Sequence, residues 1–262
     1  MSAYDVLAPT FDNHRKLPDG VAEAIRAAVL KCAPASTRPR LLDLGAGSGR
    51  VGFSFVVAGD DYIGVDLSSA MLREFAAHRG IAPLVTPPLV QADGQQLPFP
   101  DATFDVVMLV QVFGGMRNWR KFIDETRRVM RSAGALIIGR TRMPPDGLDA
   151  QMKQRLGAIL KGLGIAQERA NARENVIQWL ESNAVRSQTV TAALWTANRT
   201  SRGFIERHRS GARFSALSET VKARAMRDLS AWVATTFGSL EVVTAEPHAF
   251  DLQVFTFQNG NR

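Results

Sequence analysis

The pentapeptide Gly45-Ala46-Gly47-Ser48-Gly49 constrains this chain more than any other feature. It follows the apolar run Leu41-Leu42-Asp43-Leu44 and precedes an apolar stretch over 51–58 that Gly59 closes. Strand, glycine turn and helix in that order form a site where a ligand can touch backbone, because no Cβ stands in the way. The helix start behind the turn adds unpaired N–H groups and the positive end of a dipole.

The pattern around the turn repeats. Val21, Ile25, Ala28, Val29 and Cys32 recur at three and four residues, which predicts an amphipathic helix over 18–33. Strands are predicted at 40–44 and 61–66, near 83–92, at 104–111 and at 134–141. Helices are predicted between them: Ser68 caps one that runs to about Gly80, and another spans 119–131. The run FDVVMLVQ at 104–111 is almost wholly apolar, as expected of a strand covered by helices on both faces. Strands alternating with helices mean βαβ units and a parallel sheet.

The regularity stops at Pro144-Pro145. Residues 146–238 read as mostly helical, with one possible strand at 187–196. The segments 240–246 and 250–257 read as two strands joined by a turn at Pro247-His248, a hairpin closing the sheet. The expected division is therefore a ligand-binding domain over 1–143 and 239–262, with a mainly helical insertion, a lid forming the acceptor pocket, over 144–238.

Charge is uneven along the chain. Between Arg140 and Asp228 there are sixteen Lys/Arg against eight Asp/Glu, and the remainder has sixteen against seventeen, so the whole positive excess lies in that stretch. A basic stretch can attract nucleic acid or an acidic substrate, although a solvated arginine-rich helical surface accounts for it as well. One cysteine, Cys32, excludes an internal disulfide and a multi-cysteine metal site. No apolar run approaches the roughly 18 residues of a membrane helix, and the first residues lack the apolar core of a secretory signal. The chain reads as cytoplasmic.

Glycine spacing narrows the ligand. A dinucleotide site needs G-x-G-x-x-G, whereas here Arg50 fills the last position and the pattern is G-x-G-x-G. Asp43, just before the turn, would sit badly beside a pyrophosphate and well beside a cationic group. Asp66 ends the second strand, seventeen residues after Gly49, where a carboxylate can accept both hydroxyls of a ribose. Asp93-Gly94 follows the third strand, where a short acidic side chain can accept from an adenine amino group.

Asp43, the glycine turn, Asp66, Asp93 and the segment LPFPDATFD at 97–105 together resemble the class I S-adenosylmethionine-dependent methyltransferases, more narrowly the type 11 group. The resemblance covers about residues 4–142. It implies an α/β, Rossmann-like, doubly wound and mostly parallel seven-stranded sheet, with an antiparallel terminal hairpin and a helical lid. It also implies that S-adenosylmethionine binds here. Gly45, Ala46, Gly47 and Gly49 would line its methionine part, Asp66 its ribose, and Asp93 with Gly94 its adenine. Leu67 and Met71 join the cofactor contacts, and Gln111, ending the fourth strand, would border the methyl group. The aromatic-Asp-x-x-Arg segment Phe11-Asp12-Asn13-His14-Arg15 would bring Arg15 to the cofactor carboxylate.

The resemblance has gaps. Many relatives carry a His pair after the fourth strand, where this chain has Phe113-Gly114-Gly115-Met116, so it does not carry substrate identity. Arg131-Ser132-Ala133-Gly134 replaces the usual K-P-G-G turn. No catalytic residue is assigned. His14 and His208 are the histidines that could act as a base, and no metal-ligand spacing is present. The expected activity is methyl transfer to a small-molecule acceptor under the lid. An RNA-modifying methyltransferase using the arginine-rich insertion, and a silent S-adenosylmethionine-binding protein, are the alternatives.

Overall fold

The computed structural model describes residues 8, 16–34, 37–77, 88–113, 116, 118–165, 172–209, 214 and 217–257. Seven strands form one sheet: β1 (Arg40–Leu44), β2 (Asp61–Asp66), β3 (Leu89–Gln91), β4 (Phe104–Val110), β5 (Met130–Arg142), β6 (Arg186–Arg199) and β7 (Thr244–Thr256), in the order β3-β2-β1-β4-β5-β7-β6. All are parallel except β7, which runs against both β5 and β6. The sheet is doubly wound, and its order reverses between β1 and β4. That reversal opens a crevice at the carboxyl ends of the strands, where ligands of such folds bind.

Helices cover both faces because the strands are apolar on both. Against one face pack α1 (Val21–Cys32), α2 (Gly52–Val57) and α3 (Ser69–Ala77), burying Ile25, Phe55 and Phe75 with Val106, Met108 and Phe250. The other face carries α4 (Trp119–Val129) and α6 (Ala172–Asn183), which bury Phe122, Ile123, Val176 and Leu180 against Val107, Leu136 and Phe255. The expected Ser68 cap forms: its hydroxyl accepts from Met71 N at 3.2 Å, one turn into α3.

A third core stands apart from the sheet. In α5 (Leu148–Gly162) the residues Leu148, Met152, Leu156 and Leu160 recur every four positions, forming one buried stripe. They pack on Phe204 of α7 (Ser201–Arg209) and on Ala225, Leu229 and Val233 of α8 (Glu219–Phe237). α5 follows the carboxyl end of β5, α7 follows that of β6, and α8 precedes β7, so topology places all three at the carboxyl edge of the sheet. An ion pair between Arg207 and Asp149, at 2.6 Å, ties α7 to α5.

β7 holds this helical unit to the sheet. The N-cap position of α5 is Gly147, which has no side chain to accept from the first turn. The buried Glu246 of β7 does so instead, taking the Leu148 N–H. A Cβ on Gly147 would stand 2.8 Å from Glu246 Oε1, so glycine here admits the cap.

One expectation is corrected. The segments 240–246 and 250–257 do not form a hairpin about Pro247-His248. Thr244–Thr256 is one strand through Pro247, and its antiparallel partner is Arg186–Arg199. Beyond Ala249, β7 has outrun β5 and has only β6 beside it, an edge position where a proline's missing N–H can face away from the partner. Within 144–238 the possible strand at 187–196 forms as β6. β6 belongs to the sheet and α6 to its second core, leaving α5, α7 and α8 as the separate unit.

Candidate functional site

The glycine turn leaves β1 at the reversal point and is bound to the end of β2. Gly45 N and Ala46 N both donate to Val65 O, at 2.7 and 2.9 Å. Gly47 N donates to Asp66 Oδ2 at 2.9 Å, while Ser68 N donates to Asp66 Oδ1, also at 2.9 Å. Asp66 thus grips the turn and the start of α3 at once. Each carboxylate oxygen keeps further lone-pair capacity for a ligand hydroxyl.

Glycine is required at two places for different reasons. Gly45 has φ 89°, and a Cβ on it would lie 2.3 Å from Val112 Cγ1. Gly94 is needed for space alone, since its Cβ would meet the Phe122 ring at 2.3 Å. The loop after β3 therefore lies flat against α4.

Asp43 ends up in an unusual setting. It is 2% exposed, its Oδ2 accepts from the Tyr62 hydroxyl at 2.9 Å, and its Oδ1 is buried with no hydrogen-bond partner. Burial pushes its pKa up to about 7, against the pull of the Tyr62 hydrogen bond and with a small push from Asp66. An orphaned carboxylate oxygen beside a glycine turn fits a cationic ligand group. Since the folded pKa lies above the unfolded one, Asp43 favours the ligand-free fold at low pH, and that contribution is lost as pH rises through about 7. A cationic ligand selects the ionised form. S-adenosylmethionine binding is accordingly expected to tighten as pH rises from 6 to 8, with proton release, and the Asp43→Asn variant to lose that dependence. Calorimetric titration in two buffers of different ionisation enthalpy reads both effects.

At the end of β4, Gln111 adopts φ 57°, a strained conformation for a residue with a side chain. Three hydrogen bonds hold it: its N donates to Gly139 O, its Nε2 to Thr141 Oγ1 at 3.2 Å, and its Oε1 accepts from Arg50 Nη2 at 2.9 Å. Arg50 thereby bridges the glycine turn and β4 across the crevice.

The structure brings Asp43, Gly45, Ala46, Gly47, Gly49, Asp66 and Gln111 to one crevice, with Asp93 and Gly94 at the end of neighbouring β3. Asp93 is exposed, and its Oδ1 accepts from Gln95 N at 2.9 Å. Leu67, beside Asp66, is 58% exposed, an apolar surface of the kind a ligand ring covers. Met71 is buried behind Gly47, 3.4 Å from where its Cβ would stand. Arg15, with Phe11, Asp12 and His14, lies outside the described residues. His208 is a packing residue: its ring stacks on Phe204 at 3.8 Å and its Nδ1 meets Phe204 O at 2.9 Å. Sequence reasoning missed Tyr62, Arg50 and Thr141. Arg50 had left a trace, as the residue that spoils the dinucleotide spacing.

No group of three or more His, Cys, Asp or Glu side chains that could hold a metal occurs among the described residues, and no described helix is long and apolar enough to cross a membrane. Fold and crevice define a doubly wound, Rossmann-like α/β protein with a ligand crevice where the strand order reverses. Residues 42–138 match the family model of the methyltransferase domain. A demethylmenaquinone methyltransferase of Thermobifida fusca is 31% identical over 151 residues, 57% of this chain and 64% of that protein. A 27-O-demethylrifamycin SV methyltransferase of Amycolatopsis mediterranei is 32% identical over 135 residues, 50% of this chain and 49% of the other. The chain spans 43 to 66% of the lengths of the first curated relatives it matches. Among solved structures, a putative type II methyltransferase from Anaeromyxobacter dehalogenans superposes over 90% of this chain and 97% of its own, with a TM-score of 0.61 at 18% identity, a likeness of fold. Over residues 42–138 the chain matches a methyltransferase domain, set in a sheet of the Rossmann-like methyltransferase fold.

Proposed function

We propose that this protein transfers a methyl group from S-adenosylmethionine to a small-molecule acceptor by in-line displacement. The observation that carries the reading is the set of three carboxylates, Asp43, Asp66 and Asp93, at the ends of the three strands on one side of the reversal point, around a glycine turn. In this reading Asp66 accepts from the ribose hydroxyls, and Asp93 with Gly94 receives the adenine, whose face Leu67 covers. The unpartnered Asp43 oxygen faces the cationic amino-acid end, against Gly45, Ala46, Gly47 and Gly49, with Met71 supporting the turn. Arg15 pairs with the cofactor carboxylate.

The cofactor supplies a methyl group already activated by its sulfonium. The protein's part is then alignment and exclusion of water. Gln111, fixed by Arg50 and Thr141, borders the transfer position. α5, α7 and α8 roof the acceptor pocket at the carboxyl edge. A small acceptor is supported by the relatives, whose names specify a menaquinone precursor and a rifamycin.

The test is transfer of a tritiated methyl group from S-adenosylmethionine to a panel of quinols, hydroxylated polyketides, amines and bulk tRNA. Label is expected in small acceptors and absent from RNA. Label found only in RNA would overturn the small-molecule assignment. Tight cofactor binding with no transfer to any of them, under any condition of the panel, would favour a silent binding protein.

A further inference from the structure

The seam between the helical unit and the sheet holds buried polar side chains that the crevice does not use. Glu246 and His248 are alternate residues of β7 and face the same side of the sheet. One oxygen of Glu246 takes the Leu148 N–H that opens α5, and the other stands 3.5 Å from His248 Nε2. The His248 side chain is fully buried, with its ring edge-on to Trp195 at 5.6 Å. Neither of its ring nitrogens makes a hydrogen bond, and Glu246 Oε2 and Arg199 Nε are buried without partners as well.

Strand register fixes the charges around the imidazole. Trp195, Ala197 and Arg199 of β6 stand across from His248, Glu246 and Thr244, so Arg199 shares their face and lies diagonal to Glu246. From the helical unit come Asp149, 5% exposed in the first turn of α5, and Arg207 of α7, bound to it at 2.6 Å. With the imidazole neutral, the two arginines match the two carboxylates one for one. A proton on His248 adds an unmatched positive charge to a buried seam. Burial, then Arg199, holds the imidazole below its usual range, against the weaker pull of Glu246 and Asp149.

A proton that the seam disfavours drives His248 toward water, and the seam itself is the shortest way out. α5, α7 and α8 close a core of their own, so the unit can leave its seat while both cores of the sheet stay packed. We propose that Glu246 and His248 form a proton-operated latch: with His248 neutral, Glu246 caps α5 and seats the helical unit, and protonation of His248 releases the unit from the carboxyl edge. The latch is a property of the fold and holds whatever ligand the crevice takes. The seated state favours the neutral imidazole. The seat is therefore at full strength above the ordinary imidazole pKa of about 6.5 and weakens as pH falls through it, by up to about tenfold per pH unit.

The Leu148 amide, which Glu246 holds, is the reporter. Its hydrogen exchange is measured by NMR on the full chain at pH 7.5, 6.5 and 5.5, corrected for the chemical exchange rate at each pH. Its protection is expected to fall about fivefold or more between pH 6.5 and 5.5, while that of the β4 amides does not fall. Asp43 biases the whole fold the other way, since its contribution is lost as pH rises, so a global effect of Asp43 would raise protection instead. His248→Gln, which takes no proton, is expected to lose most of the fall. Arg199→Gln leaves the seam one positive charge short, so the proton is better accommodated and the fall is expected to shrink by about half or more. His208, in α7, stacks on Phe204 and feels Lys153, Arg207 and Asp149. His208→Gln is expected to keep most of the response.

Constant protection of the Leu148 amide across this range would overturn the latch, as would a fall that survives in His248→Gln or is undiminished in Arg199→Gln. A fall shared equally by the β4 amides would make the event global unfolding, and a response lost in His208→Gln would place its cause in α7. Either result would also overturn the proposal.

Discussion

Replacing Asp66 by alanine is expected to weaken S-adenosylhomocysteine binding by about a hundredfold or more. Two hydrogen bonds from ribose hydroxyls to a carboxylate are lost together, each worth about 1.5–3 kcal/mol. The same change frees Gly47 N and Ser68 N, the two donors through which Asp66 holds the glycine turn and α3. Asp66→Asn separates these effects. It keeps one acceptor oxygen for the backbone but removes the charge and half the accepting capacity. It should therefore melt close to the native chain and still bind the ligand at least tenfold more weakly. Calorimetric titration and thermal unfolding of both variants give the numbers. Full affinity in the alanine variant would remove Asp66 from the site.

Gly49→Ala is expected to be the most damaging single-methyl addition in the crevice. Gly49 has φ 85°, and a Cβ there would lie 2.4 to 2.6 Å from three atoms of the Phe75 ring, deep in the first core. The left-handed backbone costs about 1–2 kcal/mol for any residue with a Cβ. Overpacking a core costs typically about 1–3 kcal/mol more. A loss of about 2–5 kcal/mol of stability is expected, with a displaced turn and weakened cofactor binding. Adding Phe75→Leu to Gly49→Ala opens the space without changing the backbone. If the collision matters, the double variant loses less than the sum of the two single losses. Strict additivity in denaturant unfolding would contradict the contact with Phe75.

The parts of this molecule legible in its sequence are those dictated by local chemistry. The glycine turn, the Ser68 cap and the apolar run of β4 each follow from a few neighbouring residues, and each forms where expected. The end of the sheet was less legible because distant partners decide it. Pro247-His248 has the local character of a turn. It lies in a strand because β6, some fifty residues earlier, pairs along all of β7 while β5 stops short at Ala249. The α5 cap was invisible for the same reason, since its acceptor, Glu246, is 98 residues away.

The site divides likewise. Residues drawn from motifs, Asp43, Asp66 and Gln111, converge on one crevice. The groups that set their behaviour come from elsewhere: Tyr62 across to Asp43, and Arg50 with Thr141 on Gln111. No spacing rule links these pairs, because the register between strands creates them. Arg140 shows the limit most clearly. Sequence placed it within a basic stretch, and only the strand register sets it directly across from Asp251.

The most direct measurement is a calorimetric titration of the full chain with S-adenosylhomocysteine, S-adenosylmethionine and NAD under one set of conditions. The account predicts micromolar-range binding of the first two and none of NAD, since the glycine spacing lacks the third dinucleotide position and Asp43 opposes a pyrophosphate. Binding of NAD in preference, or of neither sulfur compound, would contradict it.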